Sequence, residues 1–113
     1  MVALAVRLHP PDQPDEGRRR FEAARALGPI DILVNNAGIA IVRSVDELTE
    51  SDFDRTITVN LKSVFLCTQA VLPAMRARKW GRIVNISGSM EPRGLNAAIA
   101  AKAALHLWAK GLS

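Results

Sequence analysis

The chain has 113 residues, of which 49% are hydrophobic and 23% charged, and its formal net charge at pH 7 is +4. This length allows at most one domain with a modest core, and the hydrophobic content excludes an intrinsically disordered chain. The single cysteine, Cys67, excludes an internal disulfide and a cysteine-rich metal site. The two histidines, His9 and His106, lie far apart in the sequence, so we expect no metal site.

The positive charge raises the question of an acidic partner. Much of it comes from Arg18-Arg19-Arg20 and from a second basic cluster between residues 76 and 82. Nucleic-acid binding would need stacking aromatic residues or a known motif, and tyrosine is absent. The sequence therefore favours solvated helix faces and no nucleic-acid partner. The apolar run Val2–Val6 is too short for a signal sequence or a membrane span, so we expect no membrane partner and a cytoplasmic location by default.

Apolar periodicity predicts three strands, each followed by a helix. In chain order these are a strand at 1–8, a helix at 15–27, a strand at 31–36, a helix from 50 to about 78, a strand at 82–87 and a helix from 97. A capping box that begins at Thr49 marks the start of the second helix. The alternation of strands and helices indicates an α/β fold with a parallel sheet.

The stretch Asp31–Gly38, with the sequence DILVNNAG, is the most informative part of the chain. Its short apolar run ends abruptly in polar and small residues, which is typical of a buried strand in a parallel sheet. Such sheets bind ligands at the carboxyl ends of their strands. Small residues there let a ligand approach the backbone, so this end is a candidate binding site.

Asp31–Gly38 resembles the fourth strand of the short-chain dehydrogenase/reductase family. Three later stretches resemble that family's next parts in the same order and at nearly the same spacing. These are the start of the long central helix at 59–65, the next strand at 81–87, and the helix that carries the family's Tyr-x-x-x-Lys pair at 101–105. The resemblance covers most of the chain, from Gly28 to Ser113.

The resemblance implies that residues 1–113 form one partial, Rossmann-like domain with a doubly wound parallel sheet. The first strand of this chain would be the third of the family's seven, and the family's C-terminal strands would be missing. Because Rossmann strand order runs 3-2-1-4-5-6, the missing strands one and two would lie between this strand and Asp31–Asn36. We therefore expect the first strand to pair differently or to remain loose.

The resemblance also implies an oxidoreductase that transfers hydride between NAD or NADP and a small carbonyl or alcohol substrate. Lys102 matches the family's lysine, which holds the nicotinamide ribose, and Asn60 matches the asparagine of the proton relay. Ser89 is our choice for the serine that binds the substrate oxygen, and a plain turn serine is the alternative.

Residues for the adenosine end of the cofactor also follow from the resemblance. Asn36, Ala37 and Gly38 match the positions that line the adenosine ribose, whereas Asn35 is expected to brace the strand through hydrogen bonds. An Asp-Val pair contacts adenine in typical members, but His9-Pro10 stands in that place here.

Two family features are missing from the sequence. The residue four positions before Lys102 is Ala98, where the family has its catalytic tyrosine, and no Gly-rich turn precedes Asp31. We therefore expect a family fragment that is inactive as this chain, with a non-catalytic α/β module for self-association or partner binding as the alternative. His106 lies one turn beyond Lys102, away from the tyrosine position, and is interpreted as a partly buried structural residue.

The last predicted helix carries an apolar stripe of Leu105, Trp108 and Leu112. In the family this helix packs against its copy in another subunit, so the stripe is a candidate dimer face, and plain core packing is the alternative. Together with an unpaired edge of the strand at 31–36, the stripe predicts a chain that forms homo-oligomers or aggregates.

Overall fold

The computed structural model describes residues 3–6, 14–88 and 97–113. The described elements are β1 (Ala3–Val6), α1 (Pro14–Ala26), β2 (Ile32–Asn35), α2 (Glu50–Ile57), a π-helical turn (Thr58–Lys62), α3 (Ser63–Ala77), β3 (Arg82–Asn85) and α4 (Ala97–Leu112). The predicted α/β class is confirmed, and each element lies where the periodicity placed it. The structure adds the π-helical turn, which interrupts a helix that the sequence predicted as one run.

The sheet has β2 at its centre and the strand order β1-β2-β3. Both pairings are parallel, and Val6 and Asn85 stand opposite Asn35 on either side. The first strand thus lies directly against β2, in the space that two further strands would occupy in Rossmann order. The prediction that β2 would have an unpaired edge is therefore wrong, because β1 fills it.

The hydrophobic core lies between β2 and α3. Leu33 in β2 is fully buried, and it packs with Ile30, Val71 and Met75. Phe21 and Ala24 from α1, Cys67 from α3 and Ile83 from β3 pack against this cluster. Burial raises the pKa of the Cys67 thiol, as expected for an inert thiol in apolar surroundings.

Two apolar segments are exposed to solvent. Val84 in β3 and Ile86 directly after it are each 43% exposed. In the part of the chain that the structure describes, β3 has a sheet neighbour on one side only. Leu27 is also exposed, because the helix ends at Ala26 and Gly28 turns the chain away with a φ of 132°.

One long helical run, Glu50–Ala77, crosses the molecule. The helix start predicted at Thr49 is confirmed, since the backbone N–H of Asp52 donates to Thr49 Oγ1 at 3.0 Å, which is one of the two hydrogen bonds of a capping box. By length and composition the run could span a membrane. Its buried residues include Val64, Val71 and Met75, of which the last two pack against β2, and the core helix of a soluble protein has the same apolar character.

Arg78 ties the end of α3 to the start of the sheet. Its guanidinium donates to the carbonyl of Ile30 and, at 3.1 Å, to the carbonyl of Trp80. The same group lies 3.3 Å from a carboxylate oxygen of Asp31. These contacts lock the helical run against β2 at the amino end of the strands.

Candidate functional site

The carboxyl ends of β2 and β3 are joined by a pair of asparagines. Asn35 Nδ2 donates to Asn85 Oδ1 at 2.8 Å, and Asn35 is buried. This bond satisfies a polar group that would be costly to bury alone. The expectation that Asn35 braces the strand is confirmed, and the two loops that follow these strands start from a fixed separation.

Asn60 lies in the π-helical turn and is fully buried. Its Oδ1 accepts from the backbone N–H of Ile39, and its Nδ2 donates to the carbonyl of Ile39, both at 2.8 Å. The π-helix is rare and occurs mostly as a single turn inside an α-helix, frequently at a functional site. Here the turn directs a side-chain amide at the loop after β2, so Asn60 holds that loop in the way a neighbouring strand would.

Lys102 on α4 joins both loops. Its Nζ donates to the carbonyl of Ala37 after β2 and to the carbonyl of Ile86 after β3, each at 3.0 Å. An ammonium group has three N–H donors, so within the described part of the chain one remains beyond these two bonds. The fixed position of Lys102 therefore leaves a positively charged donor at the carboxyl edge of the sheet.

Gly38 is the point at which these groups meet. A Cβ atom at this position would lie 3.3 Å from Lys102 Cε and 3.4 Å from Asn60 Oδ1. A side chain would thus be tight against Lys102 and in contact with Asn60, whereas glycine leaves the backbone open to a ligand. The structure brings together Ala37, Gly38, Asn60 and Lys102. Asn36, the residue before Ala37, has an exposed side chain.

Two sets of candidate residues lie outside the described residues. Ser89, our choice for the substrate-binding serine, is one of them, and so is the pair His9-Pro10. Ser89 therefore remains a prediction.

Ser87 and His106 form a contact that the sequence analysis missed. Ser87 Oγ lies 2.6 Å from His106 Nε2, so the serine faces α4. His106 is exposed, and the expectation that it is partly buried is wrong. The spacing of four residues places Lys102 and His106 on one face of the helix, but it does not indicate that Ser87 would contact that face.

The apolar stripe on α4 divides between the core and the surface. Leu105 is 1% exposed, and Trp108 packs edge-to-face against Phe65 with ring centroids 5.8 Å apart. Leu112 alone of the three is exposed, at 39%. The structure therefore favours the core-packing interpretation for Leu105 and Trp108 over a continuous dimer face.

Desolvation by burial lowers the pKa of Lys102 below its ordinary value of 10.5. Between the two values the unfolded chain binds more protons than the folded chain, so stability rises with pH in that interval. We expect the unfolding free energy of wild type, minus that of Lys102→Met, to increase from neutral pH towards pH 10.5. Urea unfolding at both ends of this range measures it, and a difference that shrinks would contradict the prediction.

Comparison with known proteins places these observations in a family context. The family model described as short chain dehydrogenase matches residues 13–113. Acetoacetyl-CoA reductase from Cupriavidus necator is 38% identical over 96 residues, which are 81% of this chain and 39% of that protein. D-beta-hydroxybutyrate dehydrogenase from Rhizobium meliloti is 41% identical over 66 residues, which are 58% of this chain and 26% of that protein.

Solved structures agree with this assignment. A gluconate 5-dehydrogenase from Burkholderia cenocepacia, in complex with NADP and tartrate, has a TM-score of 0.76 and 37% identity over 84% of this chain and 39% of its own. A 3-oxoacyl (acyl-carrier-protein) reductase from Agrobacterium tumefaciens with NADP bound has a TM-score of 0.74 and 39% identity over 83% of this chain and 38% of its own. The chain thus spans less than half the length of the relatives it matches.

Proposed function

This chain belongs to the short-chain dehydrogenase/reductase family, and we propose that it provides the ribose-binding edge of an NAD(P)-dependent oxidoreductase acting on a small carbonyl or alcohol. The convergence of Lys102, Asn60 and Gly38 at the carboxyl ends of two parallel strands carries the proposal. Ligands of open α/β sheets bind at this edge.

The donors and the open backbone at this edge fit the sugar groups of a nicotinamide dinucleotide. Lys102 would hold the ribose next to the nicotinamide with the donor that remains beyond its two carbonyl bonds. Asn36, Ala37 and Gly38 would line the adenosine ribose, where an exposed amide and a bare glycine leave room for hydroxyl groups. A Gly-rich turn for the pyrophosphate is absent from the sequence, so the fit is limited to the sugars.

A bound nicotinamide dinucleotide supplies or accepts the hydride in this chemistry. Reduction of a carbonyl also needs a proton donor within hydrogen-bond reach of the oxygen. Lys102 supplies the cation that would lower the pKa of such an acid, but one turn earlier on α4 stands Ala98, which has no proton to give. His106 lies one turn beyond Lys102 and faces Ser87. We therefore propose that this polypeptide by itself is inactive.

Carbonyl reduction by the isolated chain is expected to be undetectable, and Ala98→Tyr is expected to leave it so. The substitution supplies the missing acid, but the hydride donor still has no complete binding site. Nicotinamide absorbance, followed with a panel of ketones, measures turnover in wild type, Ala98→Tyr and the matched control Ala98→Phe, which lacks the hydroxyl. Faster turnover by Ala98→Tyr than by Ala98→Phe would contradict the expectation that the tyrosine variant is inactive.

Self-association without catalysis is the second candidate function. It is favoured by the half-exposed apolar residues along β3, whose outer edge has no sheet neighbour among the described residues. The coding sequence on either side of this chain separates the two candidates. A Gly-rich strand-turn-helix directly upstream of Met1 would favour the oxidoreductase.

A further inference from the structure

Ser87 and His106 form a pair of side chains that the proposed oxidoreductase does not use. Ser87 lies just beyond the end of β3, and His106 lies on α4. The Oγ atom of the serine is 2.6 Å from Nε2 of the histidine. A hydroxyl within hydrogen-bond reach of an imidazole nitrogen is the arrangement that activates a serine as a nucleophile.

The surroundings of the Ser87 hydroxyl direct its proton to the imidazole. The backbone carbonyls of Gly88 and Lys102 lie 3.4 and 3.5 Å from Ser87 Oγ. Hydroxyl hydrogen bonds to oxygen are ordinarily about 2.5–3.0 Å long, so both carbonyls are poor acceptors. Nε2 of His106 is the close acceptor, and a neutral imidazole that carries its proton on Nδ1 accepts there. The geometry therefore favours His106 as the group that takes the serine proton.

Lys102 places a positive charge beside this pair. It precedes His106 by about one helical turn, so the two side chains share a face of α4. Its Nζ donates to the carbonyl of Ile86, the residue before Ser87, at 3.0 Å. Acyl transfer from an ester passes through a tetrahedral intermediate with a negatively charged oxygen, and a fixed cation stabilises that charge. A nucleophile, a base and a cation therefore come together at the meeting point of β3 and α4.

The pair is open to solvent. Gly88 and His106 are both exposed, and Gly88 has no side chain to cover the hydroxyl of the preceding serine. A reacting carbonyl carbon has to come within about 3–3.5 Å of the nucleophile, which this open side permits. Such an open site binds a long acyl chain weakly, because it buries little of the chain's apolar surface. The arrangement therefore fits a small carboxylic ester with a good leaving group.

We propose that Ser87 accepts the acyl group of small activated carboxylic esters, with His106 as the general base. Ser87 Oγ bonds to the carbonyl carbon as its proton passes to His106 Nε2. The bond from that carbon to the alcohol oxygen then breaks, and the leaving oxygen takes the proton from Nε2. Water releases the acyl group in the same way: it gives a proton to Nε2, its oxygen bonds to the acyl carbon, and the serine oxygen leaves and regains the proton. Each step transfers only protons and the acyl group, so the activity is independent of carbonyl reduction.

Reaction with p-nitrophenyl acetate tests the proposal. Absorbance follows the release of p-nitrophenol, and mass spectrometry of peptides locates the acetyl group. Wild type should release p-nitrophenol faster than buffer does and carry the acetyl group on Ser87, and Ser87→Ala should lose both signals. His106→Gln keeps a side chain that can hydrogen-bond but has no base, so its rate should fall about 100-fold or to that of buffer. Lys102→Met should also lower the rate, because the negative oxygen then lacks its cation.

Two matched controls remove an exposed serine and an exposed lysine outside this site, Ser51→Ala and Lys62→Met, and should react as wild type does. Circular dichroism checks that each variant keeps the helical content of wild type. A further comparison needs no variant, since wild type unfolded in urea should no longer be acetylated selectively at Ser87. Acetylation of folded wild type at lysines without Ser87, an unchanged rate in any of the three site variants, or equal acetylation of Ser87 in urea would overturn the proposal.

Discussion

Titration of this polypeptide with NAD(H) or NADP(H) is expected to show binding far weaker than micromolar. In dinucleotide-binding folds the pyrophosphate is held by backbone N–H groups of a Gly-rich turn at a helix N-terminus, and the 113 residues contain no such turn. Each charge-assisted hydrogen bond contributes about 1.5–3 kcal/mol. The loss of two such bonds alone corresponds to at least ~100-fold weaker binding, since about 1.4 kcal/mol is tenfold.

Isothermal calorimetry with both cofactors measures the affinity, and a micromolar Kd would contradict the expectation. Nicotinamide mononucleotide provides the complementary probe, because it carries the ribose without the adenosine half. Its addition should shift the amide resonances of Gly38 and its neighbours in an NMR spectrum, and Lys102→Ala should abolish those shifts. Equal shifts in wild type and variant would mean that Lys102 does not hold the ribose.

Asn60→Leu is expected to lower the free energy of unfolding by about 2–6 kcal/mol, because the N–H and the carbonyl of Ile39 would each lose a hydrogen bond at about 1–3 kcal/mol. Both bonds come from one fully buried side chain, so no water replaces them without a rearrangement of the loop. Small domains are stable by only about 5–15 kcal/mol, so the loss would be severe.

Chemical denaturation followed by circular dichroism measures this loss. The matched control is Gln69→Leu, which makes the same kind of amide-to-leucine change at an exposed position of the same helical run. It should change stability by about 0.5 kcal/mol or less. Similar losses in both variants would show that Asn60 acts only as a helical residue and not as the support of the loop after β2.

Local features of this molecule were predictable because neighbouring residues encode them. The run DILVNNAG predicted a buried strand with a ligand-binding end, and its central Leu33 is fully buried. Thr49 predicted a helix start, and its side chain caps that helix. In each case a few consecutive residues indicate where the element lies, whereas the burial of Leu33 is completed by Val71 and Met75 from α3.

Part of the candidate site was predictable for a different reason. Lys102, Asn60 and Gly38 were chosen by resemblance to a family, and the structure brings the three together from α4, the π-helical turn and the loop after β2. Spacing within one helix could indicate that Lys102 and His106 share a face. It could not indicate that Ser87, 19 residues away, would contact His106, because that contact depends on how α4 lies against β3.

The sequence by itself determined the order and type of the elements, the apolar faces and the polar ends of the strands. The tertiary structure alone decided what covers each face. β1 lies against β2 because strand pairing is chosen from whichever strands the chain offers, and no strand stands between them here. Leu105 is buried while Leu112 on the same stripe stays exposed, because packing partners extend along only part of α4. Periodicity records that a face is apolar, but burial depends on distant segments that meet only after the chain has folded.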